Sequence, residues 1–249
     1  MNKSALITPY DAARWKQSRF NMLAGLHAGS LTQLRNAFDA GYLRGLSILG
    51  EQIADADDTA GTVMEKRISQ VCRRPWDVLI GEDVPDEQRA QALLHQAELK
   101  SFFSNLRTRN AVQLNDHGSL RALLRQMMGA VFYRYAAHEI AWDFSAGTAR
   151  ATLWHVPLAF MEDTTGELRF AGATGTTPGL PLDSVNWLFA VHHRALIKSL
   201  SVLYLIKKLS LSDWINFCEK FGTPGLHMET TATPGSKEWN DAVTALASF

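Results

Sequence analysis

The chain has 249 residues, of which 46% are hydrophobic and 20% charged, and its 25 Lys and Arg balance 25 Asp and Glu. This composition is that of a folded protein with one large domain or two smaller ones, and it excludes disordered, collagen-like and coiled-coil classes. The zero net charge disfavours strong nucleic-acid binding by charge alone, and no run approaches the roughly 20 apolar residues of a membrane span.

The first part of the chain is predicted to be mainly helical. Residues 1–29 contain glycine, proline and scattered aromatic residues, which predicts an arm that packs on the rest of the protein. Ser30 is the predicted N-cap of a first helix, and a second helix follows Gly41. A third is expected to begin at Asp57 and Asp58, because acidic residues stabilise a helix N-terminus.

The next segment is predicted to start with a short strand. It covers residues 76–80, after Pro75, and a turn leads from it to a helix that begins near Asp86. Another helix is predicted from Ser119 through Phe132, because apolar residues recur there at helical spacing.

The pattern changes over residues 138–191. Short apolar runs separated by glycine and proline predict a β-rich insert with hairpins. Residues 194–221 form the longest predicted helix, and a final helix is expected to begin near Ser236. The sequence therefore predicts an α+β fold that is mostly helical and carries a small β-rich insert.

The long predicted helix is apolar around most of its circumference. Only a narrow stripe, which includes Lys198 and Lys208, is polar. Such a helix must be buried, either in the core of its own chain or against neighbouring subunits, and the sequence leaves both possibilities open.

Motifs for catalysis and for metal binding are incomplete. The segment 138–142 begins like a zinc-protease helix, but Trp142 stands where the second histidine ligand is required. The acidic residues near Asp57 lack the glycine and glutamate of a calcium loop, and there is no phosphate-binding loop. We therefore expect no catalytic site, no metal and no cofactor, and a structural or interaction protein.

The segment LSDWINFCEKFGTPG, residues 211–225, resembles a signature of the Mu-like tailed-phage portal proteins. In that family a lysine-bearing helix runs into an aspartate, a tryptophan and a turn with glycine and proline, and Lys207 and Lys208 precede the segment here. Further similar pieces follow one another in the same order, among them residues 138–142 and 235–239. The similarity spans roughly residues 30–249 and is most specific in 204–225.

This resemblance implies a structural subunit of a ring at the unique vertex of a phage capsid, which acts as the head-tail connector. Portals of this kind are typically dodecamers whose central channel passes double-stranded DNA without sequence preference. They take part in head assembly, genome packaging and ejection. The implied partners are other copies of the chain, the packaging terminase, capsid or scaffold proteins and neck proteins, with no membrane. The implied location is the virion, and the host cytoplasm during assembly.

The general portal plan divides the chain into regions. Residues 1–29 are an N-terminal arm, and 30–118 a helical wing-like region with a short strand. Residues 119–225 are stem helices that flank a clip-like insert at about 143–190, and 226–249 begin a further wing region. The candidate stem helices are residues 119–137 and 194–221.

The resemblance also suggests residues for two roles. The candidate residues of the DNA channel are Arg194, Lys198, Lys207 and Lys208. The candidate residues of the subunit interface are Leu200, Leu203, Tyr204 and Trp214. The tryptophans Trp76, Trp142, Trp187 and Trp214 are expected in the core more than at an interface, although Trp214 remains an interface candidate.

Two other functions stay open at this point. Family members extend beyond the last helix predicted here, which suggests a truncated or prophage-derived form with the portal fold that acts as an interaction protein and forms no ring. An enzyme is the third possibility, with a site assembled from His138, Glu139, His192 and His193 if a deep polar pocket joins them.

Overall fold

The computed structural model describes residues 7–18, 20–145, 147–222 and 228–247. Helices predominate and are accompanied by two small β-sheets, which confirms the predicted α+β, mostly helical class. The chain divides into two compact units, one up to Leu205 and the other from Ile206 onward. Each unit is considered separately below.

The α-helices of the described residues are numbered in chain order. They are α1 (Pro9–Ser18), α2 (Ala28–Asp39), α3 (Arg44–Ala56), α4 (Asp58–Cys72), α5 (Asp86–Asn105), α6 (Leu120–Met127), α7 (Gly129–Tyr133), α8 (Ile197–Phe221) and α9 (Lys237–Ala247). Asp57 caps α4 as predicted, because its carboxylate accepts hydrogen bonds from the backbone N–H groups of Thr59 and Ala60.

The strands form one five-stranded and one three-stranded sheet. They are β1 (Arg107–Asn110), β2 (His117–Gly118), β3 (Tyr135–Asp143), β4 (Arg150–Val156), β5 (Met161–Glu162), β6 (Arg169–Phe170), β7 (Leu180–Pro181) and β8 (Trp187–Val191). The larger sheet has the order β2-β1-β4-β3-β8, and the smaller one β5-β6-β7. Among the described strands of the larger sheet, β1 and β4 are parallel and the other neighbours are antiparallel.

The main core lies in the first unit, where α1, α2 and α3 pack against the strands and a short 3-10 helix, Leu158–Phe160. Leu46, Leu49 and Phe160 are completely buried. Trp15 of α1 is also buried, and its ring lies 5.2 Å from the ring of Phe160. The described part of the N-terminal arm thus contributes to the main core.

A smaller apolar cluster lies on one face of the five-stranded sheet. Leu123 of α6 and Leu153 of β4 are buried there together with Leu106, and Phe102 of α5 packs against them. These contacts hold α5 and α6 against the sheet.

The predicted strand at residues 76–80 is wrong. This segment has no regular secondary structure and lies along α5. The Trp76 ring contacts the Phe103 ring at 5.8 Å, the Gln96 side chain donates a hydrogen bond to the Val78 carbonyl, and Lys100 pairs with Asp77. Its polar groups therefore find partners on a helix instead of on a neighbouring strand.

Three predicted boundaries also change. The long helix, predicted from residue 194, begins at Ile197. The N-cap of α2 is His27 and not Ser30. The His27 ring accepts a hydrogen bond from the Ser30 backbone N–H, and the Ser30 hydroxyl oxygen accepts one from the His27 backbone N–H. The candidate stem helix 119–137 consists of α6 and α7 only. Arg134 has a positive φ of 76°, and β3 begins directly after it.

The tryptophans differ from the expectation of a common core position. Trp187 is buried, as predicted. Trp76, Trp142 and Trp214 are exposed, so the prediction is wrong for these three. Trp142 is held at the surface because its indole N–H donates to the Val185 carbonyl and its ring stacks between Phe102 and Phe144.

Candidate functional site

The start of α8 is anchored firmly in the first unit. Strand β8 leads into it, and Ile197 is only 1% exposed. Gly50 of α3 permits this contact, because a Cβ atom at that position would clash with Ile197 and Tyr133. The first turn of α8 is therefore held in the first unit by close packing.

Arg194 and Lys198, two of the predicted channel residues, line a common cleft of about 640 Å³. Arg194 is exposed, whereas Lys198 is partly buried. The Lys198 ammonium donates to both carboxylate oxygens of Asp39, at 2.6 and 2.7 Å. This pair neutralises Lys198 locally, and because it is partly exposed it stabilises the fold by at most about 1 kcal/mol.

The predicted interface residues in the first unit have different environments. Leu200 and Tyr204 are half-buried against the main core of their own chain. Leu203 is 62% exposed, while Leu205 is buried in the core. Leu203 is thus the one of the three whose side chain largely faces away from the chain's own core.

In the second unit, α8 exposes nearly all of its side chains. Every residue from 206 to 220 is exposed except Lys208, which is half-buried. Trp214 is 63% exposed and stacks on Phe217 at 5.9 Å. The other large apolar side chains exposed on this segment are Ile206, Leu209, Leu211 and Ile215. The segment 206–220 is called the apolar segment below.

Residues of the possible enzyme site lie in different environments. His138 and Glu139 are buried on β3, whereas His193 lines the cleft beside Arg194. The described ranges also contain no group of three or more side chains that could hold a metal ion. No helix in the same ranges has the length and apolar character needed to cross a membrane.

The sequence reasoning missed a pair of histidines, of which His138 is buried and His155 is partly buried. His138 of β3 and His155 of β4 are directly opposite each other in the sheet, with ring centroids 5.2 Å apart. His138 Nε2–H donates to the Gln126 side-chain oxygen at 3.1 Å, and His138 itself is completely buried. The register of β3 and β4 brings the two rings together, and register is not visible in the sequence. The sequence could indicate only that each histidine lies on a strand.

Burial controls the protonation of this pair. Removal from water lowers the pKa of His155 to about 4, and it also lowers the pKa of His138, for which the neighbouring His155 has a smaller effect in the same direction. Both rings are therefore neutral at physiological pH.

Comparison with protein families matches residues 49–249 to the family described as the portal protein of Mu bacteriophage. The chain belongs to the Mu portal protein family. The match includes the whole of α8 and the five-stranded sheet of this portal protein. No curated protein matches the chain.

Membership has consequences at a coarse level. The chain has the role of a phage portal protein, the family is structural and not enzymatic, and the protein is a component of the virion. The family also indicates oligomeric assembly within the phage head.

Proposed function

We propose that this portal protein is the subunit of a closed ring that forms the DNA channel at the unique capsid vertex. The ring takes part in head assembly, in genome packaging and in ejection. Its partners are other copies of the chain, the packaging terminase, capsid or scaffold and neck proteins, and duplex DNA bound without sequence preference.

The observation that carries the proposal is the apolar segment of α8 in a chain of the portal family. Six large apolar side chains are each about half exposed there. Covering each of them gains roughly 1 kcal/mol, so the segment has a substantial driving force for association. A cyclic ring requires two different complementary patches on each subunit. Leu203 of the first unit and Trp214 of the second are each proposed as a contact residue.

Arg194, which precedes α8, and the lysines of α8 are the proposed contacts to DNA. Arg194 is exposed and free to face a channel, and Lys207 is exposed on the apolar segment. Lys198 is compensated by Asp39 and so contributes less. A conduit needs few cations that contact DNA, because each neutralised phosphate adds salt-dependent affinity and a barrier to sliding.

The test is the mass in solution, measured by light scattering on a size-exclusion column over a range of protein concentrations, with negative-stain images of the particles. We expect closed rings for the unaltered chain. Leu203→Asp and Trp214→Asp are expected to shift the mass toward the monomer of 27.7 kDa while circular dichroism stays unchanged, because both side chains are exposed in the single chain.

Leu79→Asp is the matched control, since Leu79 is also highly exposed but lies in the irregular segment before α5. The control is expected to leave the rings intact. A monomer at all concentrations for the unaltered chain would refute the ring and favour a portal-fold interaction protein. Loss of helical content in Leu203→Asp would place that residue in the intrachain core instead of at the contact.

A further inference from the structure

Three arginines converge on one cleft at the end of α4. The cleft has a volume of about 360 Å³ and lies between the segment after α4 and the side of α6. Its lining consists of Cys72, Arg73, Arg74, Pro75, Trp76, Arg121 and Leu124. The lining thus contains three cations and no carboxylate, together with an exposed tryptophan, although the whole chain has no net charge.

Two carboxylates near the cleft, Glu65 and Asp77, are already occupied by other cations. Glu65 forms a two-pronged ion pair with Arg125, and Asp77 pairs with Lys100 at 2.7 Å. The bond to Arg125 is the main cause of the lowered pKa of Glu65, and Arg73 is only a minor one. In the described residues, none of the three cleft arginines forms an ion pair or a side-chain hydrogen bond.

Helix ends do not account for this concentration of charge. Arg73 is the C-cap of α4, where a cation is favourable, but the C-terminus of a helix carries only about half a negative charge. Arg121 lies in the first turn of α6, where a cation is unfavourable, and that turn contains no acidic residue. The end of α4 therefore offsets less than one of the three charges.

We infer that Arg73, Arg74 and Arg121 bind a phosphate group. Guanidinium groups are planar and form paired hydrogen bonds to phosphate oxygens, and a phosphate offers several oxygens to three arginines at once. A single carboxylate has two oxygens and is satisfied by one arginine. The Trp76 ring is about half exposed at the wall of the cleft, where it can pack against whatever carries the phosphate.

Two sources supply this chemistry: free phosphate compounds and the phosphodiester backbone of DNA. The site goes beyond the proposed function, because it is formed by residues of the first unit and does not depend on a ring or on α8. The exposed guanidiniums suit either source, so the two are distinguished by experiment.

The experiment compares the full chain with a variant that carries Arg73→Gln, Arg74→Gln and Arg121→Gln. The matched control carries Lys66→Gln and Arg67→Gln, two exposed cations on the same helix α4. Binding of inorganic pyrophosphate is followed by calorimetry, and binding of a short DNA duplex by fluorescence anisotropy over a range of salt concentrations. Circular dichroism establishes that each variant is folded.

We expect the unaltered chain and the control to bind pyrophosphate, the duplex or both, and the triple variant to lose at least about tenfold in affinity. If the source is DNA, the slope of log K against log salt becomes less steep in the triple variant, by about 0.9 for each phosphate contact removed. If the source is a free phosphate compound, pyrophosphate binding is lost while the DNA slope stays the same.

Several outcomes overturn the inference. One is that the triple variant binds both probes with the same affinity as the unaltered chain. Another is that the control variant loses as much affinity as the triple variant. Absence of binding to either probe by the unaltered chain, or preference for an acidic peptide over both, would also contradict a phosphate site. Each of these results leaves the ring test untouched, because mass in solution is measured without either probe.

Discussion

Acidification from about pH 7 to pH 5 is expected to destabilise the first unit through the pair His138 and His155. In the folded chain the pKa of His155 is lowered to about 4 by burial, and that of His138 is lowered as well. In the unfolded chain both rings titrate near their ordinary pKa of about 6.5. The unfolded state therefore takes up protons first, and the free energy of unfolding falls as the pH decreases through this window.

The magnitude follows from the two pKa values of His155. With about 6.5 in the unfolded state and about 4 in the folded state, linkage gives a loss of about 2 kcal/mol between pH 7 and pH 5. His138 adds a loss of the same sign. Carboxylates with a lowered pKa, such as Glu65, lose their contribution only when the pH falls below about 4.5, so the chosen window isolates the histidines.

The assay is urea denaturation followed by circular dichroism at several pH values within this window. His155→Gln is expected to flatten the dependence of stability on pH, and His95→Gln, at an exposed position of α5, is the control for the loss of one histidine. A free energy of unfolding that is constant from about pH 7 to pH 5, or an unchanged slope in His155→Gln, would refute the reasoning.

Two further changes test the packing of the first unit. Trp15→Ala is expected to lower the free energy of unfolding by about 3–5 kcal/mol, because it removes a buried ring from its contact with Phe160. Thermal denaturation measures this loss. A loss below about 1 kcal/mol would show that α1 is not part of the core. Gly41→Ala is expected to lower the free energy of unfolding by at least about 1 kcal/mol, because Gly41 has φ of +93° and a Cβ atom there would clash with the backbone of Asp163. A stabilised variant in the same assay would contradict this geometry.

Much of the helical structure was predictable because helix signals are local. The acidic cap Asp57, the start of α5 at Asp86 and the long helix α8 follow from residues within one or two turns of each other. The prediction failed at residues 76–80, where a short apolar run after Pro75 suggested a strand. A strand requires a neighbouring strand, whereas this segment makes its contacts with the side of α5.

The candidate site was predictable in part. The sequence indicated that α8 is apolar on nearly all sides, but not which of its residues their own chain covers. Leu205 is buried and Leu203 is exposed, although both are leucines on the same helix. The difference depends on where α8 leaves the core beside Ile197 and Gly50, and that geometry is set by residues far away in the sequence.

The sequence by itself determined the helical class, the family signature at residues 211–225 and the lack of complete catalytic motifs, since all three are properties of short segments. Only the tertiary structure decided that β1 pairs in parallel with β4, that His138 meets His155, and that Arg121 joins Arg73 and Arg74 in one cleft. The physical reason is that helix formation depends on neighbours within a turn. Strand pairing and side-chain convergence depend on burial and on closing long loops, for which the sequence has no local signal.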